Sequence, residues 1–269
     1  MEGTGSGGGS QEPRGEGRYI YCVIEGEHDD SLGNVGVDGN EVFTISGGGF
    51  SAVVHTCPAF AYDTADQEMV ESWVVSHDRV VQMASEKYGA VLPMGFDTIV
   101  MEKDGRDAAR NVREWLNEDR EVLKGKMDRV SGKAEYGVQI FWDPELEGTR
   151  IVRESDELLE LTRKIESVSE GAAYMYRQKL EKELKDSLEK KATMHFHRFY
   201  DSIHGCVDDI RVERTKKSGE TPMLANFACL GTPDQARRLG EELERIESMD
   251  GFTVRYTGPW PPYSFVTGG

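Results

Sequence analysis

Several residues have the types and spacing to do chemistry. His77 stands beside Asp78, and a histidine with a carboxylate, either Asp78 or Glu135, is the minimum for general acid–base work. Adjacent residues on a helix point apart. His77 also falls on or beside the apolar face of a predicted helix, where a lone histidine reads as hydrogen-bonded core. His195, His197 and His204 cluster near the end of a second, long helix. Residues two apart point to different faces, whereas a metal pair on a helix takes i,i+4 spacing. Favourable interaction with the helix C-terminus accounts for the three histidines without a metal. Cys22, Cys57, Cys206 and Cys229 form no C-x-x-C pair, and three lie in apolar runs. They read as buried free thiols rather than disulfides or metal ligands. Two glycine runs lack the partners of a phosphate loop. Gly3, Gly5 and Gly7 follow no strand, and no Lys-Ser/Thr follows Gly47-Gly48-Gly49. These residues assign no catalytic, cofactor or metal site.

The elements that position them start from the whole chain. Its 269 residues make one large domain or two ordinary ones, and 38% hydrophobic residues are enough for a core. No apolar run approaches the roughly 20 residues of a membrane helix. The N-terminus has neither the basic nor the apolar region of a secretory signal, which points to the cytosol. A formal net charge of −17 repels phosphate backbones and argues against nucleic acid as a partner. The acidic surface serves solubility, or it keeps apart assemblies of a very hydrophobic partner; charge leaves both readings open.

Residues 1–17 are glycine-rich and lack apolar side chains beyond Met1, so a disordered tail is expected. Residues 19–24, 42–45 and 51–55 read as strands. The last two are joined through the triple glycine, as a hairpin connection or a close backbone approach. A helix is predicted over 66–88, capped by Asp63 or Thr64, with Met69, Trp73, His77, Val80, Val81, Ala84 and Tyr88 recurring at three- and four-residue spacing on one side. An extended segment, 91–100, precedes a helix capped by Asp104 and running to about Leu123, with Gly125 beyond it. The strand 134–142 alternates Tyr136, Val138, Ile140 and Trp142 against Glu135, Gly137, Gln139 and Phe141, and Asp143-Pro144 stops it.

Asp156 caps a further helix, and a long helix follows over 172–202. Its stripe, Tyr176, Leu180, Leu184, Leu188, Ala192, Phe196, Phe199 and Ile203, advances mostly by four residues. Each such step drifts by about 40°, so the stripe winds. Either the helix bends, or it changes packing partner along its length. Strands at 206–213 and 223–230 flank a polar turn at 215–220. Thr232 caps a helix over 233–249, and the last strand is 252–256. The implied fold class is α+β in two domains, 18–130 and 131–257. The second is ferredoxin-like (βαββαβ) with an enlarged helical insertion.

The chain closes on Gly258-Pro259-Trp260-Pro261-Pro262-Tyr263-Ser264-Phe265. Prolines without N–H groups can continue neither a helix nor a central strand. A rigid strip bearing three aromatic rings loses little entropy on docking. Trp260, Tyr263 and Phe265 are expected to fold back on this chain, making residues 258–269 a packed C-terminal strip.

At this strip the chain resembles the gas vesicle protein F/L family (GvpL/GvpF). The resemblance runs from Tyr19 to Val266. It rests on the opening strand Tyr19-Ile20-Tyr21-Cys22-Val23, on His77-Asp78-Arg79-Val80-Val81 and on Val91-Leu92-Pro93-Met94. It rests further on Gly132-Lys133-Ala134-Glu135-Tyr136-Gly137-Val138, on Gly171-Ala172-Ala173-Tyr174-Met175 and, most specifically, on Thr257 to Val266. The family pattern continues Arg-Phe-Gly-Thr where this chain has Gly95-Phe96-Asp97-Thr98. It has Trp at Tyr136 and Lys at Gln139. The resemblance implies a non-enzymatic, cytoplasmic accessory or minor structural protein of gas vesicles. Its partners would be the hydrophobic shell protein and other accessory proteins, with neither nucleic acid nor membrane. It also implies that the motif residues, including His77, Leu92, Pro93, Glu135, Gly137, Tyr174 and residues 258–265, are architectural. The alternatives are an adaptor whose Pro259-x-x-Pro262 is read by an SH3-like domain, and an enzyme built on His77.

Overall fold

The computed structural model describes residues 15–215 and 221–266. It is a mixed α+β protein whose described residues divide into two compact units. Residues 15–132 with 261–266 make the first, and Lys133–Trp260 the second.

The first unit is organised around β1 (Glu16–Glu25), whose residues Tyr19 to Ile24 are buried. It also contains β2 (Ser31–Gly33), β3 (Val42–Gly47), β4 (Phe50–Pro58), α1 (Gln67–Tyr88), β5 (Val91–Pro93), β6 (Ile99–Val100), α2 (Ala108–Glu118) and α3 (Arg120–Val130). The sheet runs β2-β3-β4-β1-β5, with β6 also pairing with β1, and all its pairings are antiparallel. The triple glycine does both jobs open to it. Gly48 and Gly49 take φ of +65° and +84° in the hairpin between β3 and β4. A Cβ on Gly48 would also lie 2.8 Å from the Leu116 carbonyl oxygen, so glycine lets α2 approach the hairpin.

Three local expectations change here. Glu16 and Gly17 already pair with Pro58 and Cys57, so order begins inside the expected tail, whose residues 1–14 lie outside the described residues. Gly17 is there for closeness, since a Cβ on it would meet Ile99 at 2.9 Å. Asp66 caps α1 instead of Asp63 or Thr64, its carboxylate accepting from the N–H groups of Glu68 and Met69. The single helix expected to start at Asp104 is two. Asp107 caps α2, the backbone leaves helical geometry at Asp119, and Gly125 lies inside α3. Asp119 is held at the break by the Trp115 indole, which donates to its carboxylate at 2.8 Å.

The second unit comprises β7 (Ala134–Trp142), α4 (Pro144–Glu154), α5 (Asp156–Ser167), α6 (Glu170–His204), β8 (Asp209–Val212), β9 (Met223–Gly231), α7 (Pro233–Glu247) and β10 (Phe252–Trp260). Its sheet runs β10-β7-β9-β8, antiparallel throughout. Tyr136, Val138, Ile140 and Trp142 of β7 are buried, as their period of two requires. Tyr136, Val138 and Ile140 share a core with Phe199 and Ile203 of α6, Phe227 of β9, and Leu239 and Leu243 of α7. Helix α4 starts at Asp143-Pro144, which in the sequence reads as a stop. Here Asp143 is the N-cap, accepting from Glu145 and Leu146, and Pro144 takes the first helical position, where a missing N–H is harmless. Ser155, not Asp156, caps α5. Most of the polar turn at 215–220 lies outside the described residues.

Two further outcomes concern the winding helix and the last strand. Helix α6 changes packing partner. Tyr176, Leu180, Leu184 and Leu188 pack with Ile151, Leu158 and Leu161 of α4 and α5, whereas Phe199 and Ile203 join the sheet core. The prolines do not end the last strand at Tyr256, since β10 continues through Pro259 to Trp260. It can do so because it is an outer strand and its register shifts between Thr257 and Trp260.

The division of α6 is testable by urea denaturation of single variants. Phe199→Ala, at a fully buried ring, should cost about 3–5 kcal/mol. Leu184→Ala, at a half-buried position, should cost about 1–2 kcal/mol. Equal losses would mean that α6 serves one continuous core.

Candidate functional site

The first unit gathers two tyrosines and two histidines into one buried cluster. Tyr19 and Tyr21 occupy alternate positions of β1 and so share a face of the sheet. His55 lies opposite Tyr19 on β4, and His77 comes from the buried side of α1. The rings touch directly: Tyr19 stacks on His55 at 4.9 Å and meets His77 edge-on at 5.7 Å.

Hydrogen bonds fix the protonation state. The Met94 carbonyl can only accept, so His77 Nε2 carries a proton and donates to it at 3.2 Å. His77 Nδ1 is then an acceptor. The Tyr19 hydroxyl donates to it at 2.8 Å and accepts the Asp97 N–H at 3.1 Å. A second relay runs in parallel. The Val37 N–H donates to the Tyr21 hydroxyl at 2.9 Å, and that hydroxyl is hydrogen-bonded to His55 Nδ1 at 2.7 Å. His55 Nε2 is hydrogen-bonded to the Tyr62 hydroxyl at 2.9 Å. Both imidazoles are neutral. Burial holds His55 down at about 4, with the Asp38 charge opposing, and burial also lowers His77 against the nearby Asp78. Burial raises the Tyr19 and Tyr21 hydroxyls far above their ordinary value.

Residues 261–266 complete this unit. Pro262, Phe265 and Val266 are buried, and the last four residues make one helical turn, α8 (Tyr263–Val266). The Tyr263 ring lies 6.3 Å from His77, and its hydroxyl donates to Asp78 Oδ1 at 2.9 Å. Lys126 Nζ donates to the Val266 carbonyl at 3.0 Å, and the Arg129 guanidinium sits over the Phe265 ring. Leu92 and Pro93, both buried, pair on β5 with Val23 and Cys22 of β1. His77 therefore has no ring nitrogen free to take or give a substrate proton. Asp78 is engaged by Tyr263, and Glu135 belongs to the other unit.

Trp260 departs from expectation. It does not fold back with Tyr263 and Phe265; it ends β10 opposite Glu135 and is 52% exposed. Strand pairing with β7 runs that far, so the side chain stays with the outer strand. The two motif glycines of this unit serve one contact. Thr257 pairs with Gly137, where a Cβ would lie 2.6 Å from Thr257 Oγ1. Gly258 has φ of +113°, and a Cβ there would lie 2.8 Å from the Glu135 carbonyl oxygen. Pro259 follows across a cis bond. Tyr174 is on the exposed side of α6, its hydroxyl accepting from Gln178 at 2.7 Å, while Ala173 beside it is buried.

The remaining candidates do not converge. His195 is buried between Phe199 and Phe252, His204 stacks on Tyr200, and His197 is exposed. No group of three potential metal ligands occurs among the described residues, and the four cysteines are free thiols. Sequence reading passed over Tyr19, Tyr21, His55 and Tyr62 as functional partners of His77. The available signal was the Tyr-x-Tyr spacing, which sets two hydroxyls on one buried face.

Residues 17–267 match the family described as gas vesicle synthesis protein GvpL/GvpF. The chain belongs to the GvpL/GvpF family. Gas vesicle protein L1 of Halobacterium salinarum is 31% identical over 93% of this chain and 90% of its own length. Gas vesicle protein L of Haloferax mediterranei is 28% identical over 93% and 88%. The crystal structure of GvpF from an Anabaena species superposes with a TM-score of 0.71 over 93% of this chain and 98% of that one, at 19% identity. GvpF from Microcystis aeruginosa gives a TM-score of 0.65 with the same coverage, at 18% identity. Asp97 has φ of +66°, in the region glycine favours. Asp97 adds a side-chain acceptor there, taking the Tyr62 N–H at 3.0 Å.

Two outcomes are expected. An unfolded histidine takes up its proton near pH 6.5, whereas folded His55 resists until about 4. Its contribution is complete above pH 6.5 and is lost as pH falls, at about 1.4 kcal/mol per pH unit, with His77 acting in the same sense. Thermal denaturation from about pH 7.5 to pH 4.5 should show this slope, and His55→Gln should flatten it. Gly258→Ala should destabilise the protein by about 2–4 kcal/mol through strain and contact with the Glu135 carbonyl. A loss below about 1 kcal/mol in urea denaturation would show that the backbone shifts freely there.

Proposed function

We propose that this protein is an accessory or minor structural protein of gas vesicle formation, and hence of buoyancy. It binds the hydrophobic shell protein and other accessory proteins, in the cytoplasm during assembly and at the vesicle. The observation that carries the reading is the GvpL/GvpF match over residues 17–267, supported by relatives named gas vesicle proteins L and F. The interior of the first unit agrees with a non-catalytic role, since its histidines are neutral and hydrogen-bonded at both nitrogens. No helix among the described residues is long and apolar enough to cross a membrane.

The same reading covers the architecture. The second unit's strand order and its strand–helices–strand–strand–helix–strand sequence fit a ferredoxin-like domain enlarged by α4, α5 and the first half of α6. The family-motif residues act as architecture. Gly137 and Gly258 allow a backbone approach, Leu92 and Pro93 extend β1's sheet, and Tyr263 and Phe265 fill the first unit's core. An adaptor reading of Pro259-x-x-Pro262 is disfavoured by Pro262, which is buried.

Co-expression with the shell protein and with each accessory protein tests this function. The tagged full chain should retain at least one of them through a wash in about 0.5 M salt, which screens non-specific charge contacts. Retention of none would sink it. Its presence in washed, intact vesicles would mark a shell component, and its absence there an assembly factor.

A further inference from the structure

We infer that β10 is a docking edge that takes up an extended, carboxylate-bearing strand of a partner protein by strand addition. Strand β10 is the outer strand of the second sheet, and residues 252–257 keep an unbroken register with β7. Its other side therefore presents backbone N–H and C=O groups with no strand partner among the described residues. Natural edge strands are protected by shortness, by lysine or inward charge, or by proline in the pairing stretch. Here the regular stretch 252–257 carries neither lysine, carboxylate nor proline, and the register shift and Pro259 come after it.

The side chains point the same way. Arg255, Tyr256 and Trp260 are all exposed, and these are the three residue types most enriched at binding hot spots. Arg255 makes no ion pair among the described residues. Alternation places Thr253, Arg255 and Thr257 on one face, and Val254 and Tyr256 on the other. An antiparallel partner strand would set a carboxylate opposite Arg255 between β-branched or hydroxyl residues. Its alternate positions would lay apolar side chains along Val254 and Tyr256.

Charge decides between occupants. The whole chain has 49 acidic residues and a net charge of −17, yet β10 has a single charge, and it is positive. A second copy would bring one strongly acidic body against another and place Arg255 near its own counterpart. A different protein that offers a carboxylate meets neither obstacle. The inference stands on the geometry of β10; its place in vesicle formation rests on the function proposed above.

The test uses the full chain and a synthetic octapeptide of alternating threonine and valine with one central glutamate. Amide hydrogen exchange reads the edge directly. Alternate amides of residues 252–257 should slow at least about ten-fold with peptide, and a lysine-for-glutamate peptide should bind at least about ten-fold more weakly. Arg255→Glu should reverse the preference and Arg255→Gln should abolish it, with thermal midpoints unchanged because the side chain is exposed. Unchanged exchange in β10, or equal effects of the two peptides, would overturn the inference. So would concentration-dependent dimerisation that protects β10 without peptide, which would assign the edge to a second copy. Loss of shell- or accessory-protein retention in Arg255→Glu would place the strand donor in the vesicle. Peptide docking without retention of any vesicle protein would keep the docking edge and remove the vesicle reading.

Discussion

Two tyrosine hydroxyls and two imidazoles lie in the interior of the first unit, and each must find a partner there. An unpaired buried polar group costs about 1–3 kcal/mol, so four at once would consume a large part of a typical domain's stability. The pairings dictate geometry. Tyr19 can reach His77 only if α1 presents that residue to the sheet, and His77 can donate only if Met94 turns its carbonyl inward. Tyr21 requires Val37 and His55 at once. The loop bearing Asp97 is fixed at both ends of its own hydrogen bonds, to Tyr19 and to Tyr62. A network of this kind specifies one arrangement of β1, β4, α1 and the segment after β5, because a half-satisfied version is worse than an apolar core. The six described residues after Trp260 join it through Tyr263 and Asp78.

The periodic elements were legible in the sequence because their signals are local. The alternation of β7 and the three-and-four spacing of α1 name their buried faces without any tertiary information, except that Met69 at the start of the α1 stripe is exposed. The winding stripe of α6 left a bend or a change of packing partner open, and the helix serves two neighbours. Punctuation was less legible, since one residue type serves opposite purposes. Asp143-Pro144 reads equally as the end of a strand and the start of a helix, and here it is both. Pro259 reads as a strand terminator, but it falls in the register shift of an outer strand, between the paired residues Thr257 and Trp260. Gly17 reads as tail, yet its lack of a side chain is what lets Ile99 lie against β1.

The buried cluster was half legible. His77 was assigned to the core on the strength of its helix face, and it is there. Its partner was not named, because Tyr19 lies far from it in sequence and nothing local couples a strand hydroxyl to a helix imidazole. The same holds for Gly137 and Gly258. Each was recognisable as a motif residue, but their service to one close contact between β7 and β10 is a property of register. Trp260 failed for a related reason. Grouping it with Tyr263 and Phe265 treated the strip as one rigid piece, whereas strand pairing holds Trp260 and the core of the first unit takes the other two.

That division changes what the C-terminal segment means. Its prolines and aromatics look like one recognition strip, but they answer to two different constraints. Residues after Pro261 fill space in a core whose hydroxyls and imidazoles already fix the walls, so their identities follow from packing. Residues before it lie on the outer edge of a sheet, where packing constrains only one side and the other side faces solvent. In a chain with so many carboxylates, the absence of any from β10 is not required by the fold, because Thr253 and Arg255 are exposed and would tolerate them. Selection for solubility would place acids there, as it has over the rest of the surface. An edge kept free of them, with an arginine and two exposed aromatics, is shaped by what it meets rather than by what it holds up.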